Sequence, residues 1–260
     1  MSRQLVSDRI SEQIHIHNSA RRRLEYFPEF YCEELQQIFD DPDSRLEAGS
    51  NELLQDNFKS TIGVIHINTG KIVIKRHNFK SRWQQVKRLF RKTKPRNSWN
   101  YSRILRNNNI LVPRPVACLE KCYGPLKGIS YFFYEYVEGV QGEEYFRQNA
   151  ASPKVIASAM QEILNTIDTL TSLKLIHGDI RLANFLFGNG QIYLLDFDDV
   201  RPRSWYKSSS AKDRDIRGFR KDLCYNTTGT LRQQVLTQLD SYCKKRNITI
   251  SGPDYRKLVD

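Results

Sequence analysis

Two short runs carry the most specific chemistry in the sequence. In His177-Gly178-Asp179-Ile180-Arg181-Leu182-Ala183-Asn184, a carboxamide follows a carboxylate by five residues, and Leu194-Leu195-Asp196-Phe197-Asp198 adds a second carboxylate after an apolar pair. A carboxylate, an amide and a second carboxylate in this order suit phosphoryl transfer. Asp179 has the chemistry to orient an attacking hydroxyl and accept its proton, while Asn184 and Asp196 offer hard oxygens to Mg²⁺. Each run alone reads as a loop with polar capping residues. The signal comes from their order together with Lys75 upstream and Glu135-Tyr136-Val137-Glu138-Gly139 between.

Several elements must position these residues. Phe27, Phe30, Tyr31, Leu35, Ile38 and Phe39 recur at helical spacing, with Pro28 suited to a first helical position, which predicts a packing helix over Pro28–Phe39. Ile62, Val64, Ile65 and Ile67, then Asn68-Thr69-Gly70, then Ile72-Val73-Ile74 predict a hairpin that ends at Lys75. Ile129–Val137 reads as a buried strand closed by Gly139, and Pro113 and Pro115 break any helix before it. Ser152 and Pro153 open a long helix whose stripe Ile156, Met160, Ile163, Ile167 and Leu170 is core. Asn184–Phe187, the turn Gly188-Asn189-Gly190 and Gln191–Phe197 form a second predicted hairpin, and the chain beyond Asp213 reads as mainly helical.

At 260 residues, with 39% hydrophobic and 11% aromatic residues, the chain is sized for one globular unit of two lobes. A formal charge of +12 points to an anionic ligand without choosing among nucleic acid, an anionic membrane and a phosphorylated substrate. The imbalance concentrates in Arg76–Leu119, which holds many Lys and Arg residues and no Asp or Glu. Phe79, Trp83, Val86 and Phe90 recur there at helical spacing, so this stretch is either a basic amphipathic helix or a mobile arm. Lys87, Arg88, Arg91 and Lys92 are its candidate contacts to an anionic substrate or membrane surface. Five cysteines at irregular spacing, no apolar signal segment at the start and no apolar run of about 20 residues predict a cytoplasmic protein with reduced thiols and peripheral membrane contact at most.

The two catalytic runs resemble the protein-kinase-like fold in its lipopolysaccharide (Kdo/heptose) kinase branch. The likeness covers about Asn57–Leu223 and extends to the strand Lys71–Lys75, Leu89-Phe90-Arg91, Asn97-Ser98-Trp99, Ile110–Pro115 and Asp196-Phe197-Asp198-Asp199-Val200-Arg201. It implies an α+β, two-lobed fold with a β-rich N-lobe and a mainly helical C-lobe. The expected layout is an N-terminal extension with a packing helix over 1–50, an N-lobe over 51–137 containing the basic segment 76–106, and a C-lobe over 138–260. ATP and Mg²⁺ are the implied cofactors. Lys75 then resembles the strand lysine that holds the α- and β-phosphates, although a surface charge at a strand end has the same appearance. Gly63 would lie in the nucleotide loop, and Glu135 and Val137 would bond adenine through their backbone. Arg181 stands where many protein kinases carry a lysine that contacts the transferred group, and His177 resembles a packing member of the motif.

Three departures accompany the likeness. No acid between Arg76 and Leu119 is available to pair with Lys75, the nucleotide loop around Lys59–His66 has the single glycine Gly63, and Asp198 replaces the glycine that usually follows Asp-Phe. The function implied is an ATP-dependent kinase for a Kdo or heptose residue of the lipopolysaccharide inner core, acting at the inner face of the inner membrane. Its partner is lipopolysaccharide core or a lipid A precursor on an anionic surface; neither nucleic acid nor an obligate protein partner is expected. A protein or small-molecule kinase of the same fold, or a non-catalytic pseudokinase that binds anionic glycolipid, are the alternatives.

Overall fold

A computed structural model describes residues 13–48, 52–56, 59–78, 92–123, 126–205 and 213–249. The chain divides into two compact units, one made of 1–96 and 115–135 and the other of 97–114 and 136–260. The α+β class follows directly, since the first unit is built on a large antiparallel sheet and the second is mainly helical.

Among the described residues, unit 1 holds seven strands, β1 (His15–Asn18), β2 (Arg22–Tyr26), β3 (Glu52–Asp56), β4 (Ser60–Ile67), β5 (Gly70–His77), β6 (Pro115–Tyr123) and β7 (Leu126–Glu135), in the order β1-β2-β6-β7-β5-β4-β3. The hairpin read from Ile62 to Lys75 is β4–β5, with Ile62 opposite Lys75 and Val64 opposite Val73. Alternation gives the sheet two different faces. One face presents Leu24, Ile65, Ile72, Ile74, Ala117, Leu119, Tyr131 and Phe133 to Leu35, Ile38 and Phe39 of α1 (Glu33–Asp40) and Leu46 of α2 (Pro42–Glu47). Fully burying such a side chain is worth roughly 1.5–3 kcal/mol, so these helices are fastened to the sheet.

The N-terminal segment is therefore part of the N-lobe and not an extension beside it. Its own strands β1 and β2 join the sheet through β6. The packing helix also starts later than the periodicity suggests. Pro28–Phe30 is a short 3-10 turn, and α1 begins after Cys32, whose Sγ accepts from the Leu35 N–H at 3.4 Å.

Gly63 requires a correction as well. It sits within β4 between Ile74 of β5 and Leu53 of β3, and a Cβ there would lie 2.9 Å from the Leu46 Cδ2 atom. Its lack of a side chain admits α2 against the sheet, so it belongs to the packed face and not to a phosphate loop.

The opposite face carries the row Ile62, Lys75, Phe132, Cys118 and Glu25 across five strands. At its far side a buried ion cluster forms. Arg96 lies 2.5 Å from Glu25 and 2.7 Å from Glu120, and all three side chains are about 8% exposed. Thr93 donates to Glu120 at 2.6 Å and accepts from the Arg96 N–H at 3.1 Å, which caps α3 (Lys94–Arg106). The helix of this region thus supplies a cation and the strands supply the acids. The basic repeat Phe79, Trp83, Val86 and Phe90, with Lys87, Arg88 and Arg91, lies outside the described residues, and Lys92 is exposed.

In unit 2, α5 (Pro153–Ser172) buries the stripe Ile156, Met160, Ile163, Ile167 and Leu170. Ser152 precedes it without a side-chain capping bond, so Pro153 alone marks its start. Between the units' division and this helix lie β8 (Val140–Gln141) and α4 (Gly142–Gln148). The second hairpin is β10 (Phe185–Gly188) with β11 (Gln191–Leu194), and it ends at Leu194 because Leu195–Phe197 turns away from the ladder. β9 (Leu175–Ile176) pairs with β12 (Arg201–Pro202), and α6 (Arg214–Asn226) and α7 (Gly229–Lys245) complete the core through Ile216, Phe219, Leu223, Leu231, Val235 and Leu239. None of the five cysteines forms a disulfide.

Candidate active site

The chain enters the candidate catalytic loop from β9 and leaves it through β10, and hydrogen bonds fix it from several sides. The Asp215 carboxylate, in the first turn of α6, accepts from the backbone N–H groups of His177 and Gly178, both at 2.7 Å. Gly178 has φ +88, a conformation costly for a side-chain-bearing residue. His177 is fully buried, and its Nε2 donates to the Leu195 carbonyl at 3.2 Å. That bond and full burial fix the ring inside the loop. Further along, the Leu182 N–H donates to Asp222 at 2.7 Å. Burial pushes the Asp222 carboxyl above the ordinary carboxylate range, against the opposing pull of the Leu182 bond.

Asp179, Arg181 and Asn184 come together. The Arg181 guanidinium is 3.0 Å from the Asp179 carboxylate, and the two side chains are 48% and 42% exposed. Asp179 is therefore accessible to an acceptor molecule. Asn184 is buried, and its Nδ2 donates to the Asp179 carbonyl at 2.8 Å and to the Asp179 carboxylate at 3.3 Å. With the nitrogen so committed, the amide oxygen is the group left for a cation. The Asn184 carbonyl accepts from the Leu195 N–H at 2.8 Å, which ties this loop to the residue preceding Asp196.

Asp196 adopts φ +59, an uncommon left-handed conformation for a residue with a side chain. Its carboxylate accepts from the Asp198 N–H at 3.4 Å. The Asp198 side chain, only 5% exposed, accepts from Ser98 at 2.7 Å. The residue in place of glycine thus braces its own loop. Asn97 donates to the carbonyls of Phe197, Asp198 and Val200 at 3.1, 3.0 and 3.0 Å.

These residues fit a Mg²⁺ ion shared with nucleotide phosphates. No three Asp, Glu, His or Cys side chains converge as a closed cation cage among the described residues. Mg²⁺ does not need one, because it takes one or two protein oxygens and fills its shell with phosphate and water. Asn184 and Asp196 offer such a pair.

The remaining candidates are distributed between the units. Lys75 is buried on the Ile62–Phe132 row of unit 1, at 6% exposure, which excludes the surface-charge reading. Glu135 closes β7 and Val137 follows in unit 2, both half-buried. The sequence reading missed Asp215, Asp222, Asn97 and Ser98 as site supports. For Asp222 a signal existed: it is an acid next to the apolar stripe Ile216, Phe219 and Leu223, and a buried acid on a helix needs partners.

Comparison with known proteins agrees with this geometry. A solved structure titled "WaaP in complex with acyl carrier protein" superposes with a TM-score of 0.57 over 83% of this chain and 91% of that chain, at 13% identity. This likeness shows a shared kinase-like fold. A curated relative, "Probable serine/threonine-protein kinase fnkB" of Dictyostelium discoideum, is 26% identical over 147 residues. The match takes in 55% of this chain and spans about a quarter (26%) of the relative's length. Residues 59–249 match the profile of the Lipopolysaccharide kinase (Kdo/WaaP) family. With that match covering most of the chain, Lys75, Asp179, Asn184 and Asp196 included, the chain belongs to the lipopolysaccharide kinase (Kdo/WaaP) family.

Proposed function

We propose that the chain transfers the γ-phosphoryl group of ATP to a hydroxyl of a Kdo or heptose residue in the lipopolysaccharide inner core. The observation that carries this reading is the Asp179–Asn184 pairing, which leaves an exposed carboxylate beside an amide oxygen free for a cation. The acceptor oxygen attacks the γ-phosphorus, the bond to the ADP oxygen breaks, and the acceptor proton passes to Asp179. Arg181 pairs with Asp179 at 3.0 Å and has the charge to neutralise the transferred group. Asn184 and Asp196 hold Mg²⁺, which, when bound, offsets phosphate charge. Lys75 reaches the α- and β-phosphates, and Glu135 and Val137 contact adenine through the backbone.

The sugar acceptor is supported by the family and by the charge of +12, since inner-core lipids present phosphates and carboxylates. We place the enzyme at the cytoplasmic face of an anionic membrane, reached through the basic segment that contains Lys87, Arg88, Arg91 and Lys92. No helix among the described residues is long and apolar enough to cross a membrane. Incubation with labelled ATP, Mg²⁺ and a panel of truncated core glycolipids, with mass spectrometry of the products, tests the proposal. Phosphate on a Kdo or heptose hydroxyl supports it. Transfer only to protein hydroxyls would favour the second reading, which the resemblance to a serine/threonine kinase raises.

A further inference from the structure

We propose that Asn97 is a positioning residue for the reaction, fixing the Asp196-Phe197-Asp198 turn so that the Asp196 carboxylate faces the metal. The inference rests on the reading of Asp196 as a metal ligand. Asn97 is 7% exposed and touches none of the groups assigned to the reacting atoms. One side-chain nitrogen meets three carbonyl oxygens, those of Phe197, Asp198 and Val200, within 3.1 Å. Only the nitrogen of the amide can occupy that position, because an oxygen there would face three acceptors. Its two N–H groups are shared among the three carbonyls, and the turn is wrapped around a single atom.

The connection to the metal ligand is short. Ser98, the next residue on α3, donates to the Asp198 carboxylate at 2.7 Å, and the Asp198 N–H bonds the Asp196 carboxylate at 3.4 Å. Asp196 itself sits at φ +59. A non-glycine residue stays in that region only when its surroundings over-determine it, and the Asn97 and Ser98 bonds to the residues that follow are among the contacts that do so. Arg201 gives the turn a second support, with its Nη1 3.2 Å from the Asp198 carbonyl and 2.6 Å from that of Val200. Loss of Asn97 therefore loosens the turn without unravelling unit 2. Most protein kinases have a glycine after Asp-Phe; here the side chain at 198 is a point of attachment for Ser98.

The test compares Asn97→Ala, Asn97→Asp and Ser98→Ala with Asp196→Asn in the full chain. Calorimetry measures affinity for a non-hydrolysable ATP analogue with and without Mg²⁺, Mn²⁺ binding is followed by electron paramagnetic resonance, and thermal melts report folding. Asn97→Ala is expected to weaken the metal-dependent part of nucleotide affinity about tenfold, the usual scale for outer partners of a metal ligand, with metal-free affinity unchanged. Asn97→Asp, equal in size but facing carbonyls with an acceptor, is expected to be worse than alanine. Ser98→Ala should shift the Mn²⁺ signal in the same direction, and it carries the test if Asn97 variants do not fold. If Asp196→Asn abolishes the metal dependence while the Asn97 and Ser98 variants keep it, the positioning role is wrong and the metal site stands. If Asp196→Asn itself leaves metal dependence intact, the metal reading fails and the inference falls with it.

Discussion

Asn184 donates from one side-chain nitrogen to both the carbonyl and the carboxylate of Asp179, at 2.8 and 3.3 Å. The backbone bond survives removal of the Asp179 carboxylate, so the loop keeps its shape when that side chain is shortened. Asp179→Ala is expected to reduce kcat by about 10²- to 10⁴-fold, the range for loss of a general base, with little change in nucleotide affinity or melting temperature. Asn184→Ala removes both bonds and a proposed cation oxygen, and should impair Mg²⁺-dependent nucleotide binding as well. Near-normal turnover of purified Asp179→Ala would remove it from the mechanism.

Arg96 pairs with two buried acids; its removal takes the buried cation away from Glu120, which keeps Thr93, while Glu25 keeps Arg23 at 2.7 Å. Arg96→Met should destabilise the protein by roughly 3–5 kcal/mol, the cost of removing one partner from a buried ion pair. Replacing Glu25 and Glu120 by Leu in the same chain should recover most of that loss. Denaturant titrations of the single and triple variants measure the difference; equal stability of the two would show that the cluster is not what holds this face.

Asp43 predicts a pH effect confined to acid. Burial pushes its carboxyl up, but hydrogen bonds from Tyr131 (2.7 Å), Arg76 (3.0 Å) and Lys121 (3.1 Å) outweigh burial and hold it below the ordinary value of 3.8. A carboxyl whose value is lower folded than unfolded stabilises the fold above the unfolded value and loses that contribution as pH falls through the folded one. Wild type should exceed Asp43→Asn in stability at about pH 6, and the gap should close progressively below about pH 4. Melting curves across that range provide the measurement, and a constant gap contradicts the assignment.

The basic segment separates membrane or acceptor binding from folding. Replacing Lys87, Arg88, Arg91 and Lys92 with Gln should raise the acceptor KM or weaken binding to anionic vesicles, by up to roughly 1 kcal/mol per charge. The salt sensitivity of activity should fall, because fewer screened contacts remain. Nucleotide affinity should stay the same. A variant that binds vesicles normally at low salt and melts many degrees lower would make the segment structural.

The parts of the fold legible in the sequence are those decided by local pattern. The β4–β5 hairpin, the buried strand β7, the stripe of α5 and the order of Asp179, Asn184 and Asp196 all depend on spacing within one segment. The misread parts depend on residues far apart in the chain. Gly63 resembled a loop glycine until strand pairing placed Leu46 against it. Asn97 and Ser98 lie in a helix of modest intrinsic propensity that tertiary bonds hold together, and their partners are about a hundred residues away. Asp215 looks like an ordinary acid in a helical first turn, and only the folded chain shows two catalytic-loop amides on its carboxylate.

The outer strands of the large sheet bear on how the protein behaves in concentrated solution. β1 and β3 are exposed along their whole length, and Ile16, Leu53 and Leu54 each stand more than half uncovered. An open edge with apolar side chains invites a strand from another molecule. β3 resists this through the register break between Leu53 and Gln55 and the acids Glu52 and Asp56 at its ends, which deny a straight, neutral template. β1 is shorter, at four residues, and carries His15 and His17. A strand that short offers few backbone groups to a partner, so self-association through β1 should be weak.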